Sequence, residues 1–189
     1  MHVLNNALIV MALESECAGL AERMDVLLTG VGKVNAAMAL TKRLAAGPAP
    51  ALVLNIGSAG GLRARPGSVV NATRFIQRDM EATALGFAPF QTPFEGAGPL
   101  TNGLRIPGLD EVVCGTGDSF ETGSADAPYD VVDMEAYALA RVAQEFGAPF
   151  ACLKFISDDA GGNAAADWQG ALEACTEALR AALAKLPGG

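Results

Sequence analysis

One stretch, residues 52–62 with the sequence LVLNIGSAGGL, constrains this chain more than any other. Leu52, Val53, Leu54 and Ile56 make a short apolar run of the length and type that suits a buried strand. Gly57, Ser58, Ala59, Gly60 and Gly61 follow at once and read as a glycine loop. Small residues let a backbone turn sharply and lie close to a ligand, and N–H groups beside Ser58 suit an anion or a hydroxyl. A buried strand running into such a loop is a common ligand site in α/β sheets, although a glycine loop can also serve only to turn the chain. Residues 62–67, with Pro66 among them, then lead to the next expected strand at 68–77. That connection is too short for a crossover helix, so it is a tight turn and the sheet is mixed. The same spacing argues against a dinucleotide or methyltransferase domain, whose glycine loop opens a helix.

The rest of the chain alternates strands with helices. Strands are expected over 7–12, 25–28, 112–114, 130–133 and 150–156, and helices over 14–23, 33–45, 134–146 and 167–185. Residues 78–99, rich in Gly and Pro, read as a lid or binding loop. This pattern predicts a three-layer α/β/α fold with a central mixed, twisted sheet, in one domain over residues 1–189. Half of the residues are hydrophobic and only 18% are charged, which argues against disorder. The apolar run at 7–13 is too short to span a bilayer, so no membrane partner is expected. The first residues have neither the basic region nor the long apolar segment of a secretory signal, so the expected compartment is the cytoplasm. A net charge of -8 argues against nucleic acid as a partner. Cys17, Cys114, Cys152 and Cys175 form no CxxC pair and read as reduced core or helix residues. The only histidine is His2, so one chain builds neither a Ser-His-Asp triad nor a histidine metal cluster. No metal or organic cofactor is expected.

Chemistry is expected where strands end. The first strand leads to Glu14 and Glu16, the strand at 130–133 to Met134 and Glu135, and the strand at 150–156 to Ser157 and Asp158. Each acid also has a plain structural use: Glu14, Glu16 and Glu135 as first-turn helix acids, and Asp158 as a cap before Gly161. For Asp158 a buried site is the better fit, because the apolar run FACLKFI leads directly into it. Three carboxylates beside a glycine loop make a candidate catalytic constellation.

Six segments occur in an order that resembles a known family: ALESE at 12–16, TGVGKVNAA at 29–37, NIGSAGG at 55–61, GTGDSF at 115–120, VDMEA at 132–136 and ISD at 156–158. Together they resemble the methylthioadenosine/S-adenosylhomocysteine nucleosidases of the nucleoside phosphorylase superfamily. The resemblance implies hydrolysis of the N-glycosidic bond of a purine nucleoside, with adenine released. It implies that Glu16 orients and deprotonates the attacking water, and that Asp158 protonates N7 of the purine. Glu135 is implied as the ribose anchor, with Met134 packed under the sugar and Phe120 stacked on the base. Ser58 and Gly60 lie in the loop near the attacking water, Ser157 helps to hold the acid, and Trp168 falls near an aromatic that closes the base pocket. Phosphorylases of the superfamily carry an arginine where Asn55 stands, so Asn55 and Glu16 favour water over phosphate, while Arg63, Arg65, Arg74 and Arg78 leave a differently built phosphate site open. The resemblance also implies a homodimer whose sites are completed near the subunit interface. The chain departs from the family in lacking a hairpin after Glu16, in its segment 77–87, and in having Glu121 after Phe120. These departures leave the 5′ substituent open. A phosphate-dependent phosphorylase and a non-catalytic nucleoside-binding domain are the two alternative functions.

Overall fold

The computed structural model describes residues 6–16, 24–96, 98–120, 126–161 and 164–184. Its strands are β1 (Ala7–Met11), β2 (Asp25–Leu28), β3 (Leu52–Gly61), β4 (Val69–Gln77), β5 (Glu111–Thr116), β6 (Val131–Asp133) and β7 (Phe150–Asp158). The helices are α1 (Lys33–Ala45), α2 (Ala136–Glu145) and α3 (Ala164–Leu183). The sheet is mixed, as expected: β1 runs parallel to β2 and β3, while β6 is antiparallel to β3 and β4 is antiparallel to β7. Its order is β2-β1-β3-β6-β5-β4-β7, and β3 also pairs with β7. That last pairing closes β3, β6, β5, β4 and β7 into a ring, with β1 and β2 extending from it.

The apolar pattern explains the layers. In β1, Leu8 and Val10 face the side covered by α1 and α2, while Ile9 and Met11 face the side covered by α3. A strand covered on both faces must be apolar throughout, which is why ALIVM has no alternation. α1 buries Ala36, Leu40 and Leu44, one stripe at four-residue spacing, and α2 buries Leu139, Ala140 and Ala143 against the same core. α3 buries Cys175, Leu179, Ala182 and Leu183 against Leu54, Ile56 and Leu153 on the opposite face. Among the described residues no helix is long and apolar enough to cross a membrane. Cys114, Cys152 and Cys175 are buried core residues, as expected, and Cys17 lies outside the described residues.

Four expectations need correction. Residues 57–61 are not a loop: β3 continues through Gly61, paired with β7 on one edge and with β6 at Gly60 and Gly61 on the other. The glycines serve close packing, since a Cβ on Gly60 would lie 3.1 Å from both Asp158 Oδ1 and Val132 Cγ2. Asp158, expected beyond a strand end, lies on β7 itself, which runs two residues further than expected because its ladder to β3 resumes after a bulge. The helix expected over 14–23 begins as a single 3-10 turn, Glu14–Glu16, and residues 17–23 lie outside the described residues. Finally, Met134 and Glu135 precede α2 rather than opening it.

Candidate active site

β3 carries two neighbours along one edge. β1 pairs with its first half, through Asn55, and β6 with Gly60 and Gly61. Between them the edge of β3 is open at Ser58. A backbone N–H left without a strand partner needs another acceptor, and Glu16 supplies it. Its Oε1 accepts from the Ser58 N–H at 3.1 Å and from the Ser58 hydroxyl at 2.6 Å, and its Oε2 accepts from the Leu13 N–H at 3.3 Å. Glu16 is buried, and a Cβ on Gly57 would stand 3.3 Å from its Oε1. A strand gap where the sheet order switches is the usual ligand crevice of α/β folds.

The other two acids reach the same place from β6 and β7. Asp158 is buried; its Oδ1 accepts from the Ala160 N–H at 2.8 Å. That turn puts Ala160 at φ 50°, a left-handed conformation that costs of order 1 kcal/mol in a non-glycine residue. The Ser157 hydroxyl lies 2.6 Å from Asp158 Oδ2 and 3.3 Å from the Ala59 carbonyl. Glu135 is buried, and its Oε1 accepts from the Gly32 N–H at 2.8 Å. Burial, then the nearby Asp133 carboxylate, pushes Glu135 up to about 7, with Lys154 and the Gly32 N–H pulling the other way and Glu16 adding to the rise.

A cavity of about 240 Å³ joins these groups. Of the sequence-predicted site residues, Glu16, Ser58, Gly60, Phe120, Met134, Glu135, Ser157 and Asp158 all line it. Phe120 stands at its mouth, 55% exposed, where a planar ligand could complete its cover. The side chain of Trp168, and Glu121, lie outside the described residues. The plain uses of the acids divide. Asp133, not Glu135, accepts the first N–H of α2, from Ala136 at 2.9 Å, whereas Asp158 does stabilise the turn at Ala160.

Sequence reasoning missed several neighbours. Asp133 lines the cavity beside Arg78, which the sequence offered only as a phosphate ligand, and Lys154 is buried behind it with Nζ 2.8 Å from Asp133 Oδ2. The signal for Lys154 was available, since it interrupts the apolar run FACLKFI. Arg78 donates to the carbonyls of Gly117 and Ser119, holding the segment that carries Phe120. Lys33 pairs with Asp79, and its own N–H donates to Asp118 at 2.8 Å, tying that segment to the start of α1. Asn55 is turned away from the cavity: its Nδ2 donates to the Val10 carbonyl at 3.0 Å.

The family model described as "Phosphorylase superfamily" matches residues 18–186. The chain belongs to that superfamily. Within it, the chain is 36% identical to a 5′-methylthioadenosine/S-adenosylhomocysteine nucleosidase of Actinobacillus succinogenes, over 74% of this chain and 69% of that one. It is 33% identical to the nucleosidase of the same name from Geobacillus kaustophilus, over 78% of this chain and 72% of that one. Among solved structures it resembles the Neisseria meningitidis nucleosidase in complex with methylthio-immucillin-A, with a TM-score of 0.83, 25% identity and coverage of 96% and 98%. A futalosine hydrolase mutant of Helicobacter pylori shares the fold at a TM-score of 0.81 and 22% identity, covering 95% of this chain and 98% of that one. The fold thus carries proteins named for different substrates, and the site must supply the choice.

Proposed function

We propose that this chain is a purine nucleosidase. It hydrolyses the N-glycosidic bond of an adenosine thioether, 5′-methylthioadenosine or S-adenosylhomocysteine, and releases adenine. The observation that carries this reading is the convergence of Glu16, Glu135 and Asp158, all buried, on one cavity in a chain whose relatives bear that name. Glu135 accepts hydrogen bonds from the sugar hydroxyls, and Met134 packs beneath the ring. Phe120 stacks on the base. As the C1′–N9 bond breaks, its electron pair leaves with the purine, and Asp158 gives its proton to N7. Glu16, aligned by Ser58, takes a proton from the water whose oxygen bonds to C1′. This divides the work between an acid and a base as glycoside hydrolases do.

Water rather than phosphate is the nucleophile. Phosphate calls for a cation or several converging donors. Asn55, where the phosphorylases carry arginine, is buried and bonded to Val10, and Arg78 is engaged with Gly117 and Ser119. Leu13, Val31 and Phe120 give the cavity apolar walls that suit a thioether. The working form is a homodimer. Val31, Val34 and Met38 make an exposed apolar stripe at the start of α1, and Val31 also lines the cavity. Gel filtration tests this, and a mass near the 19.3 kDa of one chain would contradict it.

The deciding experiment measures base release from methylthioadenosine, with adenosine, inosine and S-adenosylhomocysteine in parallel, with and without phosphate. Adenine and methylthioribose without phosphate are expected. Release only with phosphate, yielding a sugar 1-phosphate, would make the chain a phosphorylase. Asp158→Asn is expected to lower turnover at least about 100-fold, the scale of one positioned proton transfer. Turnover within a few-fold of wild type would remove Asp158 from the acid role.

A further inference from the structure

Lys154 has no task in the chemistry above, yet it is the only buried lysine or arginine among the described residues. A lysine 2% exposed in the middle of a strand needs a partner. Its partner Asp133 is shared by several elements. Asp133 Oδ1 accepts from the Thr116 hydroxyl at 2.6 Å, and Oδ2 accepts from the Ala136 N–H. Thr116 Oγ1 in turn accepts from the Tyr137 N–H at 2.9 Å. Two of the first N–H groups of α2, which a helix leaves unsatisfied, are therefore held by β5 and β6 side chains. The chain passes from this knot directly through Met134 to Glu135. Glu16, Asp133, Glu135 and Asp158 are all buried around one cavity, and among the described residues Lys154 is the only buried cation.

We propose that Lys154 and Asp133 act together as a positioning pair for Glu135. The pair fixes the turn between β6 and α2 so that the Glu135 carboxylate meets the sugar, and the Lys154 ammonium offsets the Asp133 charge beside it. The inference rests on the reading of Glu135 as the sugar anchor. Asp133 itself is pushed up by burial, but the adjacent Lys154 and its hydrogen bonds outweigh that and hold it below the usual range. The charged groups around Glu135 are Asp133 on β6, Lys154 and Asp158 on β7, Glu16 on the 3-10 turn, Arg78 after β4 and Asp118 near Gly32.

The test is a ¹³C NMR titration of the Glu135 side-chain carboxyl, its signal assigned by loss in Glu135→Gln. Wild type is expected to titrate at about 7. Asp133→Asn removes the like charge and leaves the ammonium, so its Glu135 midpoint falls by at least about one unit. The double variant D133N/K154M replaces both charges with neutral groups that a core tolerates well, and its midpoint falls by less. K154R keeps the charge and stays near wild type. The acid limb of kcat/KM for methylthioadenosine moves with the NMR midpoint. An unchanged midpoint in D133N overturns the proposal, as does a fall in the double variant as large as that in D133N, or a shift above about one unit in K154R. Absence of base release by wild type would sink the nucleosidase reading, while the titration would still decide whether the pair governs Glu135.

Discussion

Two cavities among the described residues differ in kind, and the smaller one gathers the candidate catalytic acids. The larger, about 760 Å³, lies between the irregular segment around residues 89–101 and α2, where Arg141 meets Glu95 and Glu145 at the surface. The smaller, about 240 Å³, sits over the open edge of β3 and is ringed by buried carboxylates. Both contain acids and an arginine. In the larger cavity the charges keep their water, so their mutual attraction is weak. In the smaller, the carboxyl groups themselves are buried, and each depends on named donors: Ser58 for Glu16, Gly32 for Glu135, Lys154 for Asp133 and Ala160 for Asp158. Volume alone does not mark a site; desolvated groups converging on one space do.

Three measurements would break or sharpen this contrast. The largest effect is expected at the buried pair. Lys154→Met leaves Asp133 buried without its cation and is expected to destabilise the fold by about 3–5 kcal/mol in urea unfolding. A loss below about 1 kcal/mol would mean that water reaches the pair, and the contrast would weaken.

Glu135 comes next, through pH. Its native midpoint of about 7 lies above the ordinary 4.5, so between those values the folded state keeps a proton that the unfolded state has lost. Wild type therefore loses stability as pH rises from 4.5 to 7, and the penalty is constant above that window. Glu135→Gln lacks this dependence. The stability difference between the two proteins should change by up to about 3 kcal/mol across the window. Parallel stability curves would show that Glu135 is as hydrated as a surface acid.

The smallest effect is expected at the larger cavity. Arg141→Ala breaks the pairs with Glu145 and Glu95, yet should cost at most about 0.5 kcal/mol, because these charges are solvated in both states. Base release should be unchanged. A measurable loss of activity would give the larger cavity a functional link to the smaller.

The amino-acid order determined much of this protein by itself. Local periodicity set β1, β2, α1, α2 and α3 to within a few residues, because apolar spacing reports which faces must leave water. The short 62–67 connection required a mixed sheet, and six motifs in order pointed to the superfamily and to the acids Glu16, Glu135 and Asp158. Tertiary structure decided what depends on partners distant in sequence. Gly57–Gly61 reads locally as a loop, and only the approach of β6, β7 and Glu16 makes it a strand whose missing Cβ atoms leave room for carboxylates. Glu135 reads as a first-turn helix acid, and only packing gives that job to Asp133 and turns Glu135 toward Gly32. Lys154 is visible as an interruption in an apolar strand, but its meaning lies 21 residues back in the chain, in Asp133. Periodicity is a property of neighbours, whereas desolvation and charge pairing arise between segments that meet only when the sheet closes.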